Sequence, residues 1–427
     1  MAKRPAAKKS AAKKPVIKKA AAKEVAVKQA AVSKTAREKN VVMKAAVPAA
    51  APAAAAAAPT AVAPPLPKPP LVSAVPVAPA GGVPAKKVYA RPSPQVLAKV
   101  KPLSRRFLFE LCEAIKEAVE PVARAVKGRE VVSTATSGDA TFEIDRLAEK
   151  ALLMFLRRAK APVAYYSEDS GYSTFSNAQP KNLLIVDPID GTRAAKSGFE
   201  GCTISVASTR VIERPLMSDV DNACVMEIIG NRTFYAERAS GARIYEQGHV
   251  RKPRLSTNTD LESLCWSMTV PARPAELIFP TAARLIDLSS LKGGFFSCNS
   301  TSFSLTRLIT NQLDACVDFA IRFMRDIPEA VRDYFINAGR GTVLSICPYD
   351  MVAAVLIAEE AGCAVSDAFG RGFNDVLLLD SSEHNHQSLI AAGNKELHEK
   401  LLLFFERRIS QFEQLLLRRH ARKSGQA

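Results

Sequence analysis

No stretch of this 427-residue chain stays apolar for the roughly 18–20 residues that a membrane-spanning helix needs. The segment from Ala45 to Ala80 is long and rich in alanine, but proline recurs through it and large apolar side chains are few. The basic opening MAKRPAAKKSAAKK lacks the apolar core of a secretory leader. The eight cysteines (Cys112, Cys202, Cys224, Cys265, Cys298, Cys316, Cys347 and Cys363) are widely spaced, with no CxxC pair. They read as small buried apolar groups in a reducing compartment, not as a zinc site or a disulfide frame. No internal repeat is found, and a cytoplasmic protein without a membrane anchor is the expectation.

Acidic residues are scarce in one region only. Residues 1–92 carry 18 Lys/Arg against two acids, Glu24 and Glu38, and a single aromatic, Tyr89; the remainder carries 41 basic and 40 acidic residues. The formal charge of +17 therefore belongs almost wholly to the first 92 residues. Such a stretch buries too little apolar surface to offset its ordering entropy, so a disordered Lys/Ala/Pro-rich tail is expected there. Its second half has the character of a semi-stiff polyproline spacer. The tail resembles those of linker-histone-like proteins. It reads either as an arm that binds nucleic acid or another polyanion by counterion release, with nucleoid or nuclear association as a corollary, or as a solvated extension.

From Pro94 the texture changes. VLAKVKPLSRRFLFELCEAIKEAVEPVARAV has helical spacing with a stop at Gly128, and TFEIDRLAEKALLMFLRRA predicts a second helix. The short apolar run NLLIV (182–186) reads as a buried strand, GCTISVAST as another, and NACVMEIIGNRTFYAER as a hairpin turning at Gly230-Asn231. A helix from about Lys395 to Lys423 carries a stripe of Leu397, Leu401, Phe405, Phe412 and Leu416, which suits either packing on its own domain or a dimer contact. The expected division is a tail (1–92), a catalytic domain (93–395), and a C-terminal amphipathic helix with a basic end (396–427).

The chemistry concentrates after NLLIV, in Asp187-Pro188-Ile189-Asp190-Gly191-Thr192. Pro188 fixes φ and removes a donor, so the chain is expected to turn as soon as the strand ends. Two carboxylates then converge on one side of that turn, a costly arrangement unless a cation lies between them. Hard oxygen donors without nearby His or Cys suit Mg²⁺ or another hard divalent ion. Gly191 permits close approach of backbone to a ligand, and N–H groups of a helix starting at Thr192 would face an anion. Together these describe a metal-assisted phosphate site. An Asp-rich surface turn would not bring further isolated acids, yet Glu168 and Asp169 end a short apolar strand in AYYSEDSG, Asp350 opens the apolar helix YDMVAAVLIAEEAG, and Asp145 lies in TFEIDRLAEKAL. Taken alone, an acid in a first helical turn is an ordinary dipole partner. A nucleophilic aspartate of a DxD motif is excluded by spacing, since two residues separate the acids here.

The order GDATFEID, SED, DPIDGT, YDMVAA, EEAG resembles the inositol monophosphatase family of Mg²⁺-dependent, lithium-sensitive sugar phosphatases, over roughly residues 100–400. The resemblance implies a mixed α/β (α+β) fold, a layered αβαβα sandwich, and a homodimer. It implies Glu168 as a metal-ligand acid with Asp169 beside it, Asp187 bridging two metals, and the Ile189 carbonyl on the first. Asp190 and Asp350 would hold the second metal, two or three Mg²⁺ ions being present. Asp145 and Thr192 would orient and deprotonate the attacking water, and the Gly191 and Thr192 N–H groups would hold phosphate oxygens. A small phosphorylated sugar or polyol is the implied substrate. A fructose-1,6-bisphosphatase of the archaeal type or a nucleotide 3′-phosphatase is the alternative within the family. A catalytically idle scaffold acting through its basic tail is the alternative of another class, disfavoured by retention of all five acids.

Several positions depart from that pattern. Arg193-Ala194-Ala195 follows DPIDGT where relatives carry an Asn, Tyr349 stands in place of a Trp, and Asn299-Ser300-Thr301-Ser302 has a larger residue at a family glycine. The 319–347 segment is long, and is either a lid or a packing element. Arg193 and Lys196 suit either a second phosphate or solvent. His384 and His386, among the polar neighbours SSEHNHQS, are expected in a surface loop.

Overall fold

Nine consecutive residues, Asn182–Asp190, form a strand buried along its whole length. Leu183 and Ile185 enter one apolar cluster, Leu184 and Val186 another, as a pleated strand covered on both faces requires. The computed structural model describes residues 92–135, 140–174 and 179–423. The tail up to residue 91 lies outside them, as do Gly138 and Asp139 of the GDATFEID segment.

The large sheet has eight strands in the order His249–Arg251, Ala242–Glu246, Arg232–Glu237, Val220–Glu227, Thr203–Thr209, Asn182–Asp190, Val163–Ser167, Gly171–Thr174. Within this sheet, among the described residues, only Val163–Ser167 and Asn182–Asp190 pair in parallel, which brings their acid-bearing C-terminal ends to the same edge. The second sheet runs Gly294–Ser297, Cys265–Met268, Ala315–Asp318, Leu389–Ala392, Ala364–Ser366. Helices Arg105–Arg124 and Glu143–Ala159 supply the apolar cover on one face of the large sheet. Thr301–Ile309 and Pro348–Ala361 fill the layer between the sheets, where Leu305, Leu308 and Val352 meet Ile185 and Cys316. Ala275–Ser289, Ala320–Asp326, Pro328–Ala338 and Lys395–Lys423 cover the far face of the small sheet. The result is the αβαβα layering expected.

Three local expectations change. Pro188 does not end its strand. The strand continues to Asp190, and the ladder with Thr203–Thr209 slips between Asp187 and Asp190; a bulge is where a sheet tolerates a residue without an N–H. The turn comes at Gly191 (φ +94°). The first long helix stops at Arg124, before Gly128, because Val126 is already left-handed (φ 55°). The 319–347 segment is mainly packing: Phe323, Val331 and Phe335 are fully buried in the outer layer, and only its last residues reach the cleft. The C-terminal stripe serves the same layer, with Leu397, Leu401, Phe405, Ile409 and Leu416 buried and Phe412 partly so. No helix among the described residues is long and apolar enough to cross a membrane.

Candidate active site

Glu168 follows the strand Val163–Ser167 directly, and Asp187 and Asp190 close the parallel neighbour Asn182–Asp190. Asp145 and Asp350 sit in the first turns of Glu143–Ala159 and Pro348–Ala361. All five acids line one cleft, with Asp169, Ile189, Gly191 and Thr192.

Each acid is held by a different part of the chain. Asp145 Oδ2 accepts the Phe142 N–H at 2.8 Å, capping its own helix, and Asp145 Oδ1 accepts the Thr192 hydroxyl at 2.9 Å. The Thr192 hydroxyl also lies 3.1 Å from the Ile189 carbonyl oxygen. Asp350 Oδ2 caps its helix by accepting the Cys347 N–H at 2.7 Å. Asp187 Oδ1 accepts the Ile189 N–H at 3.0 Å. Asp190 Oδ2 accepts the Ser302 N–H at 2.6 Å, from the start of the helix Thr301–Ile309 that Ser300 caps through the Phe303 N–H. Asp169 accepts the Thr141 hydroxyl at 2.7 Å.

The charge is concentrated and poorly hydrated. Burial pushes Asp187 well above the usual carboxylate range, and the charges of Asp190, Glu168 and Asp350 push it further. Burial raises Asp190 to about 6, while donors from Ser302, Ser300 and Thr301 pull the other way. The groups lining the cleft with oxygen to offer a cation include six carboxylates, of Asp145, Glu168, Asp169, Asp187, Asp190 and Asp350. Cys347 lines the same cleft, but burial, helped by Asp350, pushes its thiol far up, so it offers no thiolate. This chemistry fits a hard divalent ion. The acids meet as charges and not as a closed shell: among the described residues, no three His, Cys, Asp or Glu side chains are grouped as ligands of one ion.

Gly191 has a reason the sequence did not give. A Cβ there would lie 2.6 Å from the Gly201 carbonyl oxygen and 2.9 Å from Ser300 Cβ, so packing against neighbouring backbone, together with its positive φ, demands glycine. Arg193 lines the cleft, whereas the Lys196 ammonium lies 3.3 Å from the centre of the Phe142 ring. His384 is exposed as expected, but His386 is only 2% exposed and lines the cleft, against the expectation of a surface loop. The reason is tertiary: the Gln387 N–H bonds the Ile346 carbonyl at 2.9 Å, drawing the loop onto the segment before Asp350. Sequence reasoning also missed Arg273, whose guanidinium reaches Asp318 Oδ2 at 2.7 Å through a buried ion pair beside the cleft. It missed the Ser302 N–H that holds Asp190, although Ser before an apolar helical run is a readable cap signal.

Known proteins share this architecture and sequence. A family model described as "Inositol monophosphatase family" matches residues 103–410. The bifunctional NADP phosphatase/NAD kinase of Methanococcus maripaludis is 24% identical over 309 residues, covering 70% of this chain and 48% of that one, so the match spans about half of that relative. The fructose-1,6-bisphosphatase/inositol-1-monophosphatase of Methanothermobacter thermautotrophicus is 26% identical over 305 residues, covering 69% and 94%. Among solved structures, the extragenic suppressor protein suhB of Bartonella henselae superimposes with a TM-score of 0.52 at 20% identity, over 70% of this chain and 97% of that one. With a family model matching well over half its length, this chain belongs to the inositol monophosphatase family.

Proposed function

We propose that the protein is a Mg²⁺-dependent phosphomonoesterase acting on a small phosphorylated sugar or polyol by direct attack of water. The observation that carries this reading is the convergence of Asp145, Glu168, Asp187, Asp190, Asp350 and Thr192 on one cleft, where the ionised form of Asp187 is opposed by three other acids. Membership of a metal-dependent phosphatase family and likeness to a fructose-1,6-bisphosphatase/inositol-1-monophosphatase support it.

Glu168, Asp187, Asp190, Asp350 and the Ile189 carbonyl would hold two or three ions. Bound there, the metal supplies Lewis-acid polarisation and charge neutralisation at the phosphoryl group. The chain's own contribution is orientation and proton transfer. The Thr192 hydroxyl donates to Asp145 Oδ1 at 2.9 Å, so a proton taken by Thr192 from water has an anionic acceptor one hydrogen bond away. The Gly191 and Thr192 N–H groups would bind phosphate oxygens. Arg193 on the same cleft favours a second phosphate on the substrate as the variant reading, a bisphosphate or nucleotide.

Asp187→Asn and Asp190→Asn are each expected to lower Mg²⁺-dependent phosphate release by about 100- to 1,000-fold, as for loss of one essential electrostatic group, with the fold retained by circular dichroism. Undiminished turnover in either folded variant would end the assignment.

A further inference from the structure

The acids Glu168 and Asp169 stand on a short turn at the margin of the large sheet. Val163–Ser167 and Gly171–Thr174 pair antiparallel with Ser167 opposite Gly171, so the tip between them is Glu168-Asp169-Ser170. Among the described residues Gly171–Thr174 is the last strand of the sheet on that side, and Ser170 is exposed. A connecting tip with a neighbouring strand on one side only is easily displaced, whereas a group that receives a cation must be held in place.

The hold comes from the helix Glu143–Ala159. Glu149 lies four residues after Asp145, on the same face of that helix, and is only 8% exposed. Its Oε1 accepts the Ser167 hydroxyl at 2.9 Å and the Ser170 hydroxyl as well. The Ser170 N–H closes the turn on Ser167 Oγ at 3.2 Å. Ser167 and Ser170 are the residues immediately before and after Glu168-Asp169, so one carboxylate oxygen clamps both ends of the acidic pair. The other oxygen, Oε2, is buried with no hydrogen-bond partner, and Glu149 therefore serves the two serines alone. A carboxylate is costly to bury unless a cation pairs with it, and the partners of this one are hydroxyls. An apolar side chain would fill the same space at lower cost. What Glu149 adds is a charge-assisted clamp on the turn that carries Glu168.

We propose that Glu149 is a positioning residue: by clamping Ser167 and Ser170 it holds Glu168 and Asp169 where a divalent ion is received. This rests on the metal-dependent phosphatase reading and deepens it. The direct measure is Mn²⁺ binding to the whole protein without ester, read from the electron paramagnetic resonance of free Mn²⁺; Mn²⁺ takes the same oxygen donors as Mg²⁺. Glu149→Ala is expected to weaken that binding about tenfold, the scale of one hydrogen bond. It should raise by a similar factor the Mg²⁺ needed for half-maximal phosphate release from myo-inositol 1-phosphate, a loss that saturating Mg²⁺ recovers. Glu149→Gln keeps an acceptor oxygen without the charge and should retain most of the Mn²⁺ binding. Ser170→Ala removes an exposed hydroxyl; it should weaken binding in the wild type and add nothing to Glu149→Ala, since both variants break the same contact. Unchanged Mn²⁺ binding in folded Glu149→Ala, equal losses in Gln and Ala, or a lowered kcat that saturating Mg²⁺ does not recover overturns the proposal. Should Glu149→Ala fail to fold, Ser170→Ala decides alone: weakened binding supports the clamp and unchanged binding overturns it. If the wild type binds Mn²⁺ but releases no phosphate, the phosphatase reading fails while the Mn²⁺ titrations still read the clamp. A wild type that binds no Mn²⁺ overturns the clamp.

Discussion

At the scale of single residues, Gly191 and His386 make separable predictions. Alanine at 191 must adopt φ near +94° with its Cβ against the Gly201 carbonyl and Ser300. A destabilisation of about 2–4 kcal/mol is expected from strain and overpacking together, read from urea midpoints; a change below about 0.5 kcal/mol would mean that the backbone relaxes freely. His386 is lowered to about 4 by burial first and then by Arg273, with Glu383 and Asp380 acting oppositely. Its folded value lies below the ordinary 6.5, so the unfolded chain takes the proton first, and stability falls as pH drops from about 6.5 towards 4. By pH 5 the loss is about 2 kcal/mol. His386→Asn should therefore lose about that much less than the wild type between pH 7 and pH 5, and parallel losses would refute the assignment of a buried neutral ring. The acids were legible because each stands in a local pattern, strand end or helix start. His386 was not, since its polar neighbours describe the loop truthfully while the Gln387–Ile346 pairing that buries it joins segments 41 residues apart.

At the scale of elements, helix starts supply much of the cleft's lining. Asp145 and Asp350 cap the helices they begin, and the start of Thr301–Ile309 gives its donors to Asp190. The contacts that cap these helices also place both acids on the cleft, which is why neither looked unusual on its own. The strands were readable from apolar runs, whereas the bulge at Pro188 was not: a proline suggests a stop, and only the neighbouring strand's register shows that pairing resumes at Asp190. The C-terminal helix was readable as amphipathic but not in what it covers. Phe405 is fully buried, its ring centre 4.6 Å from that of Phe319. Phe405→Ala should cost about 3–5 kcal/mol in denaturant unfolding. A cost under 1 kcal/mol would show that residues 396–427 form an appendage and not part of the catalytic unit's core.

At the scale of the molecule, charge is divided along the chain. The near-neutral remainder encloses three apolar clusters, while the cationic tail precedes it in sequence. Deleting residues 1–91 is expected to leave the phosphatase rate and Tm unchanged while reducing affinity for duplex DNA and flattening its salt dependence, measured by fluorescence anisotropy at several salt concentrations. Unaltered affinity and slope would leave the tail a solvated extension. The two walls of the cleft are divided in a similar way. The acids belong to the large sheet and to helix starts, but Arg273 and His386 hang from two short connections of the small sheet. The two walls therefore vary on separate stretches of polypeptide. Grafting only those two connections from a relative would remake one side of the cleft while the acid-bearing segments are left as they stand.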